Sequence, residues 1–162
     1  MNKKLSIIVS ILAVLLTFAA VSCKSADFSD PEVSNAAFKL VYDNYFQLLN
    51  LEGSKAYTIQ AGDTLSAIAK ANYGDDKGYF FPMIMLASSA VIKDPDYIQP
   101  GQELTIPDFD KNLGSTQSKA VMAPYFRDIA NVYRNKENIT VEKELKKIAD
   151  ALGKGLLSVD AK

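Results

Sequence analysis

Apolar residues are spaced in different ways along the chain, and each spacing predicts a different element. A nearly unbroken apolar run covers residues 5–21. Apolar residues then recur at helical spacing in 31–50 and again beyond residue 117. Between these helical regions, two short runs rich in strand-forming residues occupy 57–60 and 103–106. The pattern therefore predicts a leading apolar segment followed by a mixed α and β region that has helices on both sides.

The helix predicted for 31–50 has a strong start signal. Asp30 provides an N-cap oxygen, Pro31 suits the first helical position, and Glu32 places a negative charge in the first turn. Its apolar face is too wide for a helix that packs on one side only, so it needs partners. Its aromatic residues suit either a hydrophobic core or a sugar-stacking surface, and aromatics at helical spacing favour the core. They are Phe38, Tyr42, Tyr45 and Phe46.

The region between the two predicted strands contains two helical patterns. Gly62 permits a tight turn after the first strand, and Asp63 or Thr64 caps a helix over 65–71. A second helix is predicted for about 79–88, with a proline in its first turn. A turn at 100–101 then leads into the second strand, which we expect to pair antiparallel with the first.

These pieces resemble a known family when they are taken in order. The quoted motifs are Tyr57-Thr58-Ile59, Gly62-Asp63-Thr64-Leu65, Ile68-Ala69, Tyr73-Gly74-Asp75, Phe81-Pro82 and Asp94-Pro95. Together they resemble a LysM module, a small βααβ unit that binds glycans containing N-acetylglucosamine. The resemblance implies an α+β fold with one LysM module over 56–107 and a two-stranded antiparallel sheet, flanked by an N-terminal helix and two C-terminal helices. Ser88 departs from the family, which usually has Asn there.

The resemblance also implies where a glycan binds. In the family the groove lies between the first strand–helix loop and the loop that precedes the second strand. Asp63 and Asp94 contact sugar hydroxyls or only shape their turns, and both interpretations remain open. A shallow groove on one small module implies weak binding. The implied glycan-binding residues are Gly62, Asp63, Thr64, Leu65, Ile92, Lys93, Asp94, Pro95, Tyr97 and Ile98.

The apolar run at the start predicts an export signal. Basic residues precede it, and small residues followed by Cys23 end it. A membrane-anchor helix is the alternative, although 17 apolar residues are near the lower limit for spanning a bilayer. The segment resembles a bacterial lipoprotein signal with a relaxed cleavage motif. That resemblance implies a signal peptide over 1–22, lipidation of Cys23, and a short tether over 23–30.

The region after the module predicts a linker and two helices. Residues 108–118 are polar and suggest the linker, and 119–162 form the helical region. We expect Pro124 to break the first helix or delay its start. Thr140 is the predicted cap of the last helix. Its charged residues, including Glu142 and Lys146, are predicted to face solvent.

Composition excludes several functions. Acidic residues slightly outnumber basic ones, so the chain lacks the basic surface that nucleic acids require. It has no His and a single Cys, and the helical region is too short for a catalytic domain. We therefore expect no enzyme, no metal and no cofactor.

The sequence thus predicts a membrane-anchored lipoprotein of the cell envelope that faces the periplasm. Its expected partners are peptidoglycan or a chitooligosaccharide-like glycan, and the membrane through acyl chains. The alternative is an envelope scaffold with a LysM-like fold, in which the flanking helices bind a protein partner and no glycan is bound.

Overall fold

The computed structural model describes residues 26–157. The predicted signal peptide and Cys23 lie outside these residues. Within them, no helix is both long enough and apolar enough to cross a membrane. The described chain forms, in order, α1 (Pro31–Tyr45), β1 (Lys55–Thr58), α2 (Leu65–Tyr73), α3 (Pro82–Ala87), β2 (Glu103–Ile106), α4 (Phe109–Leu113), α5 (Thr116–Asn135) and α6 (Ile139–Gly153).

The two strands pair antiparallel, which confirms the predicted sheet and the α+β fold. Tyr57 lies opposite Leu104 in the register. Strand β1 ends two residues earlier than predicted, yet Ile59 still donates its N–H to Gln102 O at 2.9 Å. In β2 the buried side chains of Leu104 and Ile106 alternate with the exposed Glu103 and the half-buried Thr105. The sheet is thus a narrow ribbon with one apolar face, and it must pack on helices.

The sheet, the helices between its strands and the flanking helices share one hydrophobic core. Helix α1 packs on α5 through aromatic pairs, since the Phe38 ring meets Tyr133 edge-on at 5.5 Å and Tyr45 lies 5.6 Å from Tyr125. Phe38 and Tyr42 are buried, so the core interpretation of these two aromatic residues is confirmed. Because the core is continuous, the LysM-like region and its flanks support each other.

The predicted start of α1 is confirmed, and its end is earlier. The Asp30 carboxylate accepts the Glu32 N–H at 2.8 Å, and Pro31 occupies the first turn. The α-helix ends at Tyr45, and a single 3₁₀ turn, Phe46–Leu48, continues the chain.

The stretch 108–118, predicted as a linker, instead contains helix α4. Asp108 caps it by accepting the Lys111 N–H at 2.9 Å. Asn112 is buried and exchanges two hydrogen bonds of 2.8 Å with the backbone of Asn50. The polar residues that suggested a linker therefore act as a cap and as a bridge between segments.

Helix α5 runs through Pro124 without a break, contrary to the prediction. A proline in a helix interior removes the hydrogen bond to the carbonyl four residues earlier. Here that carbonyl belongs to Ala120, and both residues are exposed, so water can reach it. Burial of Tyr125 and Phe126, beside the proline, offsets the remaining cost.

Two predictions about α6 are wrong. Its N-cap is Asn138, which accepts the Val141 N–H at 3.3 Å, and not Thr140. Glu142 does not face solvent, because it is only 7% exposed and pairs with Lys146 at 2.6 Å. The aliphatic stem of a glutamate packs well when a lysine on the next turn neutralises its charge.

Candidate functional site

The first predicted wall is the turn that joins β1 to α2, and local contacts hold it. Gly62 has φ +89°, a conformation that favours glycine. The Asp63 carboxylate accepts hydrogen bonds from the Tyr57 hydroxyl and the Gln60 N–H, both at 2.8 Å. Its bond to the Tyr57 hydroxyl raises the pKa of Tyr57. Asp63 is thus a turn-making residue whose carboxylate still borders open space.

Thr64 is the residue that caps α2. Its hydroxyl accepts the Ala67 N–H at 3.2 Å, so the choice between Asp63 and Thr64 as the cap is settled for Thr64. Leu65, the first residue of α2, is buried at 4% exposure. Leu65 thus contributes apolar surface at the base of the first wall, whereas the Thr64 side chain is exposed.

The second predicted wall is the loop that contains Asp94 and Ile98. Asp94 accepts the Asp96 N–H on its carboxylate at 2.9 Å and the Tyr97 N–H on its carbonyl at 3.1 Å. These two bonds fold the loop into a tight turn. Pro95 is buried within it, whereas the Tyr97 side chain is 75% exposed.

Residues far away in the sequence fix this second loop. The Lys136 ammonium, at the end of α5, lies 2.9 Å from Asp94 and 2.7 Å from Asp96. Its partial burial would lower the pKa of Lys136, but hydrogen bonds to and charges of the two aspartates outweigh that effect and raise it. The Ser34 hydroxyl of α1 also lies 3.4 Å from Asp94. Both flanks of the chain therefore meet at this loop.

A cleft of about 400 Å³ lies between the two walls. It brings together five of the ten predicted residues, from both loops. Helices α5 and α6 contribute Tyr133 and Val141 to its lining, and the cleft remains open to solvent. The five predicted residues are Asp63, Thr64, Leu65, Pro95 and Ile98.

The other predicted residues do not line this cleft. Gly62 supports the first turn without reaching the cleft surface. The remaining four face the opposite side of the second loop, where they border a depression of about 510 Å³ together with Pro31 and Asn35 of α1. They are Ile92, Lys93, Asp94 and Tyr97, and Ile98 borders both spaces. The loop therefore has two faces, which its sequence did not distinguish.

Several lining residues were not predicted from the sequence. Ser66 and Lys70 lie one helical turn apart on α2, and the i, i+4 spacing between them is the signal that places both on one face of the helix. Tyr133 and Val141 carry no such signal, because only tertiary packing brings them here. The missed lining residues are Ser66, Lys70, Gly78, Tyr79, Phe81, Asp96, Tyr133 and Val141.

Ser88, the departure from the family pattern, is buried at 3% exposure. Its hydroxyl accepts the Thr105 N–H at 2.9 Å and lies 3.3 Å from the Thr105 carbonyl. The residue therefore ties the end of α3 to strand β2. It does not line the cleft.

The chemistry of the cleft suits an amphipathic ligand. Apolar surface from Leu65, Pro95 and Ile98 lies beside hydroxyl and carboxylate oxygens, as the faces and edges of a sugar require. The carboxylates of Asp63 and Asp96 are already hydrogen-bonded or paired. Among residues 26–157 there is no group of three metal-ligating side chains.

Comparison with known proteins identifies the central region. Residues 57–107 match the LysM domain, so this part of the chain is a LysM domain. LysM domains bind glycans that contain N-acetylglucosamine, such as peptidoglycan, which indicates glycan binding in general. The matched domain is a binding domain without catalytic function, in agreement with the prediction that the protein is not an enzyme.

Individual relatives match only part of their own length. An esterase of Mycobacterium tuberculosis is 33% identical over 112 residues, which cover 67% of this chain and 21% of the esterase. The potassium binding protein Kbp of Escherichia coli is 47% identical over 55 residues, or 34% of this chain and 36% of Kbp. The chain thus spans about a fifth of the esterase and a third of Kbp. No solved structure gives a significant match.

Proposed function

We propose that this protein is a lipid-anchored cell-envelope protein that binds peptidoglycan without catalysis and so tethers the membrane to the cell wall. The observation that carries the proposal is the open cleft of about 400 Å³ between the turn at Asp63 and the loop at Pro95. Both turns are fixed by hydrogen bonds within the protein, so a ligand meets walls that are largely formed in advance.

The anchor compensates for the weakness of a single cleft. Acyl chains on Cys23 would hold the protein in the membrane, since each buried methylene contributes about 0.8 kcal/mol and several chains act together. A protein confined beside the wall meets its glycan at a high effective concentration. Weak binding at each site is then sufficient for a lasting tether.

The glycan arm of the proposal is tested by co-sedimentation with isolated peptidoglycan sacculi. The wild-type protein should pellet with the sacculi at low salt. Thr64→Arg should pellet several-fold less, because a long cation fills the first wall of the cleft. Thr64→Ser is the matched control, since it keeps the hydroxyl that caps α2 and should bind like wild type. A wild-type pellet no larger than that of a mock sample would refute glycan binding.

The anchor is tested separately in cells. Growth with a labelled fatty acid should label the wild-type protein, and Cys23→Ser should abolish both the label and the recovery in the membrane fraction. If Cys23→Ser protein stays in the membrane, the lipid anchor is wrong, and an uncleaved apolar segment holds the protein instead.

An envelope scaffold is the second candidate. The observation that favours it is a set of exposed apolar side chains along α1 and the segment after it, with Leu40 64% exposed. Exposed apolar surface of this kind is common at protein interfaces. The other members are Phe46, Leu48 and Leu51.

The two candidates predict different responses to substitution. Leu40→Glu lies outside the cleft and should leave sacculus binding unchanged if the protein is a tether. In a scaffold, the same variant should lose partners that cross-link to the wild type in cells, while Thr64→Arg should retain them. The pair of variants therefore separates the two functions.

A further inference from the structure

One cation in the glycan cleft has neither an ion pair nor a side-chain hydrogen bond among residues 26–157. Its charged lining residues are Asp63, Lys70 and Asp96. Asp96 is paired with Lys136 at 2.7 Å, and Asp63 accepts two hydrogen bonds. Lys70, in contrast, has no salt bridge or side-chain hydrogen bond within the described part of the chain. The cleft therefore offers a ligand one available positive charge.

The backbone opposite Lys70 is shaped to hold its side chain. The aliphatic stem lies against Gly78, where an added Cβ would come within 2.8 Å of the Lys70 Cε and 3.2 Å of its Cγ. Any other residue at this buried position would displace the stem. The contact of the stem with Gly78 limits the rotamers of this exposed side chain and so lowers the entropy cost of placing the ammonium.

We propose that Lys70 makes the cleft prefer a glycan that carries a carboxylate beside the amino sugar over a neutral chain of N-acetylglucosamine. This inference rests on the proposed glycan binding and specifies its ligand class. A lysine ammonium forms a charge-assisted hydrogen bond with a carboxylate. Peptidoglycan carries carboxylates on the lactyl ether of alternate sugars or on the peptides attached there, whereas chitin-type chains carry none.

A purely structural role for Lys70 makes a different prediction. The residue lies in the last turn of α2, where a cation interacts favourably with the carbonyl end of the helix. That interaction affects the stability of the free protein and is indifferent to the charge of the ligand. A measurement that compares ligands of different charge therefore separates the two roles.

The test is calorimetric titration of the full chain in detergent with three glycans of equal length. One is a neutral N-acetylglucosamine oligomer. The second alternates N-acetylglucosamine with N-acetylmuramic acid whose lactyl carboxylates are free. In the third, the lactyl groups are amide-linked to peptides that end in carboxylates. Wild type should bind at least one acidic glycan about two- to fivefold more tightly than the neutral oligomer, and the preference should shrink at high salt.

Four variants complete the design. Lys70→Gln should remove the preference by weakening the binding of the acidic glycans more than that of the neutral oligomer, whereas Lys70→Arg should retain most of the preference. Lys93→Gln is the matched control, because it removes the same charge on the opposite face of the second wall. Gly78→Ala should weaken the preference by displacing the Lys70 stem.

Each outcome decides one of the claims. Equal affinity of the wild type for all three glycans, or a preference that survives Lys70→Gln, overturns the role of Lys70 and leaves glycan binding intact. Binding of no glycan at all overturns the proposed function together with this inference. Among the two acidic ligands, the tighter one identifies the lactyl group or the peptide as the source of the carboxylate.

Discussion

The two walls of the cleft are built by opposite means. The first wall is held by neighbours in the sequence, since Asp63 bonds to Tyr57 and Gln60 and lies next to the cap of α2. The second wall also has a local turn, but Lys136 stabilises it from 42 residues away, and Ser34 approaches from 60 residues away. The first wall is therefore a property of the LysM domain alone. The second wall is a property of the whole described chain.

The difference shows that a family domain can depend on its flanks for part of its binding surface. The domain boundary by sequence falls at residues 57 and 107, yet α5 and α6 supply two lining residues to the cleft, and Lys136 at the end of α5 pairs with the second wall. Changes in the flanking helices should accordingly alter the second wall and spare the first.

Loss of the Tyr133 ring should have the largest effect. Tyr133 is buried, and its ring packs against Phe38 and Phe81. Tyr133→Ala should lower the free energy of unfolding by about 3–5 kcal/mol in a urea titration, because it leaves a cavity where α1, α5 and the domain meet. Tyr133→Phe keeps the ring and should cost less than about 1 kcal/mol. A loss below 1 kcal/mol for the alanine variant would show that the flanks support the domain very little.

Removal of Lys136 should affect the second wall alone. The Lys136 and Asp94 side chains are 13% and 10% exposed, so Lys136→Met leaves a largely buried carboxylate unpaired. We expect a loss of about 1–3 kcal/mol in unfolding free energy. Hydrogen exchange should accelerate at the amides of Asp96 and Tyr97 and stay unchanged at Gln60.

The control for this variant is Lys136→Arg, which keeps the positive charge and should retain slow exchange in the second wall. Faster exchange in both walls of Lys136→Met would contradict the view that the two are supported independently.

Removal of the Asp63 carboxylate should affect the first wall alone, and its effect should be smaller than that of Lys136→Met. Asp63→Ala deletes the acceptor of the Gln60 N–H and the Tyr57 hydroxyl, both in a solvent-accessible turn. Exchange at the Gln60 amide should accelerate about two- to tenfold, with no change at Asp96. Asp63→Asn, which keeps one acceptor oxygen, should lie between the alanine variant and wild type.

A change of pH should have the smallest effect on the unfolding free energy. The pKa of Lys136 in the folded protein lies above its ordinary value of 10.5, so its contribution is complete below that pH and is lost as pH rises through the folded pKa. The difference in unfolding free energy between wild type and Lys136→Met should stay constant from pH 6 to 9 and shrink above about pH 10.5. At high pH the buried tyrosines lower the unfolding free energy of wild type and Lys136→Met alike. The difference between the two proteins therefore reports on Lys136.

Much of the fold could be predicted because its signals are local. The glycine turn before Thr64, the alternation in β2 and the Asp30-Pro31 start of α1 act within a few residues. The sequence predicts the fold less well where tertiary contacts override the local conformational preference of a residue. Pro124 normally ends a helix, but the burial on either side of it keeps α5 continuous.

The two walls of the candidate site also differ in how well the sequence predicts them. The first wall could be placed nearly residue by residue from its motif, because its conformation depends on its own sequence. In the second wall, whether Lys93 and Tyr97 face the cleft or α1 depends on how Lys136 and Ser34 hold the loop. The sequence between Asp94 and Ile98 does not indicate that Lys136 and Ser34 contact this loop.

The contact between Ser34 and Asp94 has a mechanical consequence. Ser34 lies in the first turn of α1 and 3.4 Å from the second wall. If the protein is held by Cys23 and grips a glycan in the cleft, tension from the anchor enters at Pro31 and reaches the second wall across this short contact. The β1–β2 pairing lies outside that route. A force that separated membrane from wall would thus load the helices and the buried Lys136 pair, and the four-residue strands would carry little of it.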